Sequence, residues 1–280
     1  MLRRMTVLAA LALACLLPAS ALAGRGASYT AIRNAIWSGS ADAIKAELER
    51  AETLVCPACV DLVMPLIDHQ DAGVRQVAAW WLTRRAVRTD VQNQMIARLG
   101  DVDSVKARNA ADILGEFQRV DAIGPLGSAL QNSTFTAEAR AHMAQALGTI
   151  GDLRAQPALS QALGSADAQV RAAALEALRS LRGFTSPQLA LPLLTDPDES
   201  VRVQAIFMVG SSRAGAATSG LVNLLGSDSS ANVRKKAAWA LGEIGAAAAS
   251  AAPALQQAAA HDASPLVRSL AQAALGRLNR

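Results

Sequence analysis

Apolar and polar positions alternate along this chain with the period of an α-helix, and the pattern itself recurs. In VRKKAAWALGEIG, from Val233 to Gly245, Val, Ala and Leu stand at positions 1, 5 and 9, one apolar stripe at i, i+4 spacing. Anchored on its AAxxLG core, the phrase returns as VRQVAAWWLTRR from Val74, KARNAADILGEFQ from Lys106 and AEARAHMAQALGTIG from Ala137. Further copies are VRAAALEALRSLRG from Val170, VRVQAIFMVGSSRAG from Val201 and VRSLAQAALGRLN from Val267. Their second positions fall at 75, 107, 140, 171, 202, 234 and 268, in steps of 31 to 34 residues. Seven copies at so narrow a spacing define a repeat architecture.

Each period predicts two helices. In the first, here called the VR helix, alanines at positions 5 and 6 let neighbouring helices approach and the leucine at 9 fills the gap between them. Gly at position 10, with an apolar anchor at 12 and Gly at 13 in the clearest copies, predicts a left-handed helix end. The second helix reads APALQQAAA or SGLVNLLGS, often behind a proline, and a loop such as TDPDES caps the next VR helix. One such hairpin cannot bury its own apolar face, so the stack must share a continuous core. Residues 24–54 precede the first copy: Ile32, Ile36 and Trp37 predict a short helix, and Ser40 caps a second carrying Ile44, Leu48 and Ala51 on one face. This pair is expected to close the N-terminal face of the stack, as an N-terminal helical cap.

The repeat resembles the short bacterial HEAT-like repeats named after phycocyanobilin lyase subunits, over residues 55–280. The tetratricopeptide pattern and the ankyrin TPLHxA phrase are missing. The resemblance implies an all-α, armadillo-like helical fold, a right-handed α-α superhelix of about seven helical hairpins. It also implies an inter-repeat ladder between a turn Asp and an Arg six residues later. Asp196/Arg202, Asp228/Arg234 and Asp262/Arg268 match, whereas Asp101 faces Ala107 and the other acid positions hold His69, Thr134 and Ser165. By the same resemblance the VR helices line the concave side, with positions 3, 7 and 11 pointing into the groove. Those slots name Trp80, Arg84, Arg108, Asp112, Glu116, Gln145, Glu176, Phe207, Lys235, Trp239 and Glu243 as candidate binding residues. Trp80, Phe207 and Trp239 share slot 7, where a large aromatic with a polar rim suits a binding hot spot. The plainer reading packs Trp80 and Trp81 against the N-terminal cap. Charges alternate in sign along the groove, so neither a strongly acidic nor a strongly basic ligand is indicated.

The N-terminus changes where such a scaffold would work. Arg3 and Arg4, an apolar stretch from Thr6 to Leu17, and Ala21-Leu22-Ala23 before Gly24 follow the order of a secretory signal peptide, residues 1–23. The stretch falls short of the roughly 20 residues that span a bilayer. A rival reading takes Ala12 to Cys15 as a lipoprotein box, which would anchor the chain through Cys15. The expectation is export, with a periplasmic location. Cleavage after Ala23 leaves 257 residues and lowers the formal charge from +4 to +2, which together with export argues against nucleic acid as a partner. No later segment is long and apolar enough for a membrane span.

Cys56 and Cys59 decide whether chemistry is expected. Haem attachment needs a histidine at residue 60, which is Val; zinc needs two more ligands, and His69 is the nearest candidate. Thioredoxin-type redox has a plausible cap in Cys56 before Pro57 but no surrounding βαβ pattern. A local disulfide fits the i, i+3 spacing and an oxidising compartment, and would fix the junction between cap and first repeat. His69, His142 and His261 lie far apart, no His-Glu dipeptide occurs, and the glycines sit at repeat turns, not in phosphate loops. The chain therefore reads as a non-catalytic protein–protein interaction scaffold, binding a protein or peptide of the cell envelope without cofactor or metal. The alternative is a redox or metal-handling accessory factor acting through Cys56 and Cys59. A minor alternative, from the resemblance, is a bilin lyase-like chaperone.

Overall fold

A computed structural model of the chain describes residues 26–84 and 88–278. The signal sequence, the cleavage site and Cys15 lie outside the described residues. Among those residues there are fifteen α-helices and no strand. They form two compact units, divided between residues 85 and 86.

The first unit holds α1 (Tyr29–Trp37), α2 (Ala41–Arg50), α3 (Pro57–Val63) with a 3-10 turn over Met64–Asp68, and α4 (Ala72–Thr83). Ser28 and Ser40 cap α1 and α2 by accepting the amides of Ala31 and Ala43. Ile32, Ile44, Leu48 and Ala51 are buried, together with Val74, Ala78 and Leu82 of α4, the first VR helix. Trp37 departs from the apolar reading of α1: it is 73% exposed, with the Arg33 guanidinium 4.6 Å above its ring.

The second unit holds α5 (Arg88–Arg98), α6 (Ser104–Phe117), α7 (Ile123–Gln131), α8 (Ala137–Ile150), α9 (Gln156–Ala162) and α10 (Ala168–Ser180). It continues through α11 (Glu199–Ser211), α12 (Thr218–Ser227), α13 (Ala231–Ile244), α14 (Ala252–His261) and α15 (Pro265–Leu278). The VR helices α6, α8, α10, α11, α13 and α15 pack each on the next, while α7, α9, α12 and α14 form the second row. Between α10 and α11 that row is reduced to two 3-10 turns, Pro187–Ala190 and Pro192–Thr195. Pro192 sits where a helix running on from Pro187 would need an amide donor, so the segment breaks in two. The core is a line of VR-helix positions 1, 5 and 9, such as Val233, Ala237 and Leu241, all at 0% exposure. This is an all-α helical solenoid with its core spread along the stack.

Local chemistry starts each VR helix at a fixed place. Asp71, Asp103, Thr136, Asp198 and Ser230, each three residues before position 1, accept an amide of the first turn. The position-13 glycines end α8 and α13 with positive φ, +66° at Gly151 and +69° at Gly245. Position 10 is a correction: Gly115, Gly148, Gly210 and Gly242 lie inside helices and end none. Their role is close approach, for a Cβ on Gly148 would stand 2.8 Å from the Ala177 Cα of the next VR helix.

The turn aspartates and position-2 arginines bind the repeats edge to edge. Arg202 Nε and Nη2 donate to both carboxylate oxygens of Asp228, at 2.8 and 3.2 Å, and Arg234 holds Asp262 in the same way at 2.8 and 3.1 Å. Each Asp thus serves the Arg of the preceding repeat. The Arg six residues after it takes its backbone carbonyl instead, as Arg202 Nη1 takes that of Asp196 at 2.8 Å. The series starts before the first matching pair in the sequence, because Arg171 forks onto Asp196 at 2.8 and 2.7 Å although its own turn holds Ser165. Arg140 reaches Ser165 Oγ and Asp167 in place of such an acid.

Candidate functional site

Positions 3, 7 and 11 of a VR helix advance by four residues, close to one turn, so they share a face. Every candidate binding residue on that face is exposed or half-buried, while positions 1, 5 and 9 are enclosed.

In the first unit, Trp81 is fully buried and donates its Nε1–H to the Ala51 carbonyl at 3.0 Å, which ties α4 to the end of α2. Trp80 is half-buried instead. The Arg84 guanidinium lies 4.8 Å over its ring and pairs with Glu52 at 2.7 Å. The two adjacent tryptophans therefore divide their roles between packing and surface.

In the second unit the candidate residues fall into two groups. Arg108, Asp112, Phe207, Trp239 and Glu243 reach across to the neighbouring VR helix. Arg108 pairs with Glu138 at 2.5 Å, Asp112 meets His142 Nδ1 at 2.6 Å, and Glu243 pairs with Arg277. The Phe207 and Trp239 rings meet edge to face, centroids 5.3 Å apart, with Lys236 Nζ 4.4 Å from the Phe207 centroid. Glu138, His142 and Lys236 were not among the sequence candidates. Their signal was an offset of about one repeat between slot 3 or 7 and an early position of the next helix, which no single-helix pattern displays.

Gln145 and Glu176 belong to the other group. With Gln169, Asp198 and Ser200 they surround a hollow of about 340 Å³ between α8, α10 and α11, floored by alanines 141, 172 and 173. Small residues at slots 3 and 4 make that space. The Ser200 hydroxyl beside Asp198 holds its carboxyl below the usual carboxylate range, with the Ser200 and Val201 amides adding to the effect. Glu116 is exposed on α6, and Lys235 is half-buried on α13.

The cysteines are placed for a local cross-link. Cys56 caps α3 and is half-buried, Cys59 in the first turn is fully buried, and their sulfurs lie 1.98 Å apart with Cα atoms 5.3 Å apart. His69 Nδ1 accepts the Asp71 amide, and His261 is exposed at the end of α14. Among the described residues no three His, Cys, Asp or Glu side chains gather as metal ligands. None of the described helices is long and apolar enough to cross a membrane.

Comparison with known proteins adds to this geometry. A family profile described as HEAT repeats matches residues 93–179 and 187–276. No curated protein matches the chain. Among solved structures, the Escherichia coli protein YibA is similar at 18% identity and TM-score 0.58, over 83% of this chain and 95% of its own. A designed armadillo repeat protein in complex with a (KR)4 peptide is similar at 23% identity and TM-score 0.52, over 66% of this chain and 98% of that one. The complex of CpcE and CpcF of phycocyanin lyase from Nostoc sp. shows 25% identity and TM-score 0.44, over 80% and 96% of the respective chains.

Proposed function

This chain belongs to the HEAT-repeat family, and from that premise we propose that it is an exported, periplasmic scaffold which binds a protein or peptide on the position 3–7–11 face of its VR helices. The observation that carries the reading is the unbroken row of exposed and half-buried side chains on that face, set on an otherwise packed stack. Two stations on it suit a ligand. The Phe207–Trp239 pair, rimmed by Lys235, offers a desolvated aromatic anchor of the kind that dominates binding energy. The hollow at Gln145 and Glu176 offers hydrogen-bonding groups above a floor of alanines. Arg108, Asp112 and Glu243 use part of their charge on inter-repeat pairs, so they shape the face and contribute less to affinity. In the first unit Trp80 under Arg84 is a third aromatic station.

Affinity capture from cell-envelope extracts tests this. The wild-type protein is expected to recover partners that the triple variant Trp80→Ala, Phe207→Ala, Trp239→Ala loses. Equal recovery by both would remove the face from the account.

The Cys56–Cys59 pair belongs to this reading as a local rivet at the start of the first repeat. So short a loop contributes little entropy, so its use is to hold the first turn of α3 in place. Thiol titration of the native protein is expected to find no free thiol and no exchange with a dithiol protein. Ready exchange would turn the pair into a redox centre and favour an accessory-factor role.

A further inference from the structure

The outer side of the α14–α15 hairpin keeps both devices by which each internal repeat receives the next. The first is the guanidinium fork. Arg171, Arg202 and Arg234 each anchor Nη1 on two carbonyls of their own turn and offer Nε and Nη2 to the next repeat's aspartate. Arg268 is anchored identically, Nη1 donating to the carbonyls of Asp262 and Ala263 at 2.7 and 3.3 Å. Among the described residues no carboxylate meets its Nε and Nη2. The second device is the position-10 glycine. A Cβ on Gly115, Gly148, Gly210 or Gly242 would stand 2.8–3.1 Å from the Cα of an alanine in the following VR helix. Gly276 occupies the same position in α15, and nothing lies within 4 Å of it.

We propose that this face docks a helical hairpin of another polypeptide. That hairpin would present an aspartate from its inter-helix turn to Arg268 and a small residue, alanine or its like, to the notch at Gly276. The four glycine contacts and three forks inside the stack specify that chemistry. A bidentate carboxylate suits the planar fork, which is already immobilised by its two carbonyl bonds. A second copy of this hairpin does not fit. Residues 252–278 hold a single acid, Asp262, already enclosed in the Arg234 fork, so two such faces would set arginine against arginine. The surface is separate from the position 3–7–11 face and stands or falls without it.

The test uses the full-length protein and residues 246–278 of its own sequence as the probe, since that segment carries Asp262 in its turn and Ala274 at the notch-filling position. Appended after Asn279 as an extra hairpin, the segment is expected to raise the thermal midpoint, and the gain should vanish with Arg268→Gln or Gly276→Val in the receiving repeat. Supplied as a free peptide, it should bind the wild-type chain saturably, and each of those substitutions, or Asp262→Asn in the peptide, should weaken binding at least tenfold. An appended hairpin that gives no gain overturns the proposal, as does a gain indifferent to both substitutions. A peptide that fails to bind the wild type, or binds all variants alike, also overturns it.

Discussion

Asp228→Ala lowers the unfolding free energy by about 3–5 kcal/mol, the cost of stranding one member of a buried ion pair. The Asp228 side chain is 6% exposed and Arg202 13%, and three hydrogen-bonding roles end together. The substitution frees the Arg202 fork, removes the acceptor of the Ser230 amide, and leaves the guanidinium anchored at Asp196 and Pro197 with no charge opposite. Urea unfolding of the wild type and variant measures the loss. A double variant, Arg202→Met with Asp228→Leu, should recover much of it, because an apolar pair of similar volume needs no compensating charge. A single variant that unfolds with the wild type would show that the ladder is ornamental.

The same rungs set an acid limit. Burial pushes the Asp196 carboxyl up, but the Arg171 fork and the Asp198 amide outweigh it and leave the group below its ordinary value. The Arg234 fork lowers Asp262. A carboxyl lowered on folding contributes stability that is complete above its unfolded value, about 3.9, and is lost as pH falls through the lower folded value. The wild type should therefore lose stability below about pH 4, with a shallower slope in Asp262→Asn.

Leu241→Ala is the second large effect, about 2–5 kcal/mol for emptying a packed core position. Leu241 is at 0% exposure on α13, at position 9, with Ala237 and Val233 on the same enclosed stripe. Alpha13 packs on both α11 and α15, so the cavity opens between three helices that cannot all close on it. Glu176→Ala, on the exposed face of α10, should change stability by no more than about 0.5 kcal/mol. The contrast between the two, in paired urea titrations, checks the phase of the repeat. Equal effects would mean the stripe has been assigned to the wrong face.

The fold was largely legible. The i, i+4 stripe at Val233, Ala237 and Leu241 set the buried face of α13, and its recurrence set every other VR helix. Ser40 before Ala41 and the Asp or Ser three residues before each position 1 marked helix starts, because an N-cap works through amides only two or three residues away. The candidate face was legible to the same degree, since positions 3, 7 and 11 follow from the same period.

What escaped that reading was every choice of partner. Position 10 looked like a helix end, whereas Gly148 is a notch for Ala177, 29 residues along the chain. Asp196 looked like the mate of Arg202, yet its carboxylate lies in the fork of Arg171 and only its carbonyl serves Arg202. Trp80 and Trp81 stand side by side in sequence, but one is enclosed against Ala51 and the other lies open under Arg84. The hollow at Gln145 and Glu176 arises because Ala141, Ala172 and Ala173 are small where three helices meet. The amino-acid sequence by itself determined the helices, their caps, their buried stripes and the repeat, since each depends on residues within a turn or two of one another. Tertiary structure alone decided which carboxylate meets which guanidinium, where backbones touch and where the surface is hollow. Those outcomes depend on the offset between stacked helices about thirty residues apart, a distance over which the chain's local periodicity carries no information.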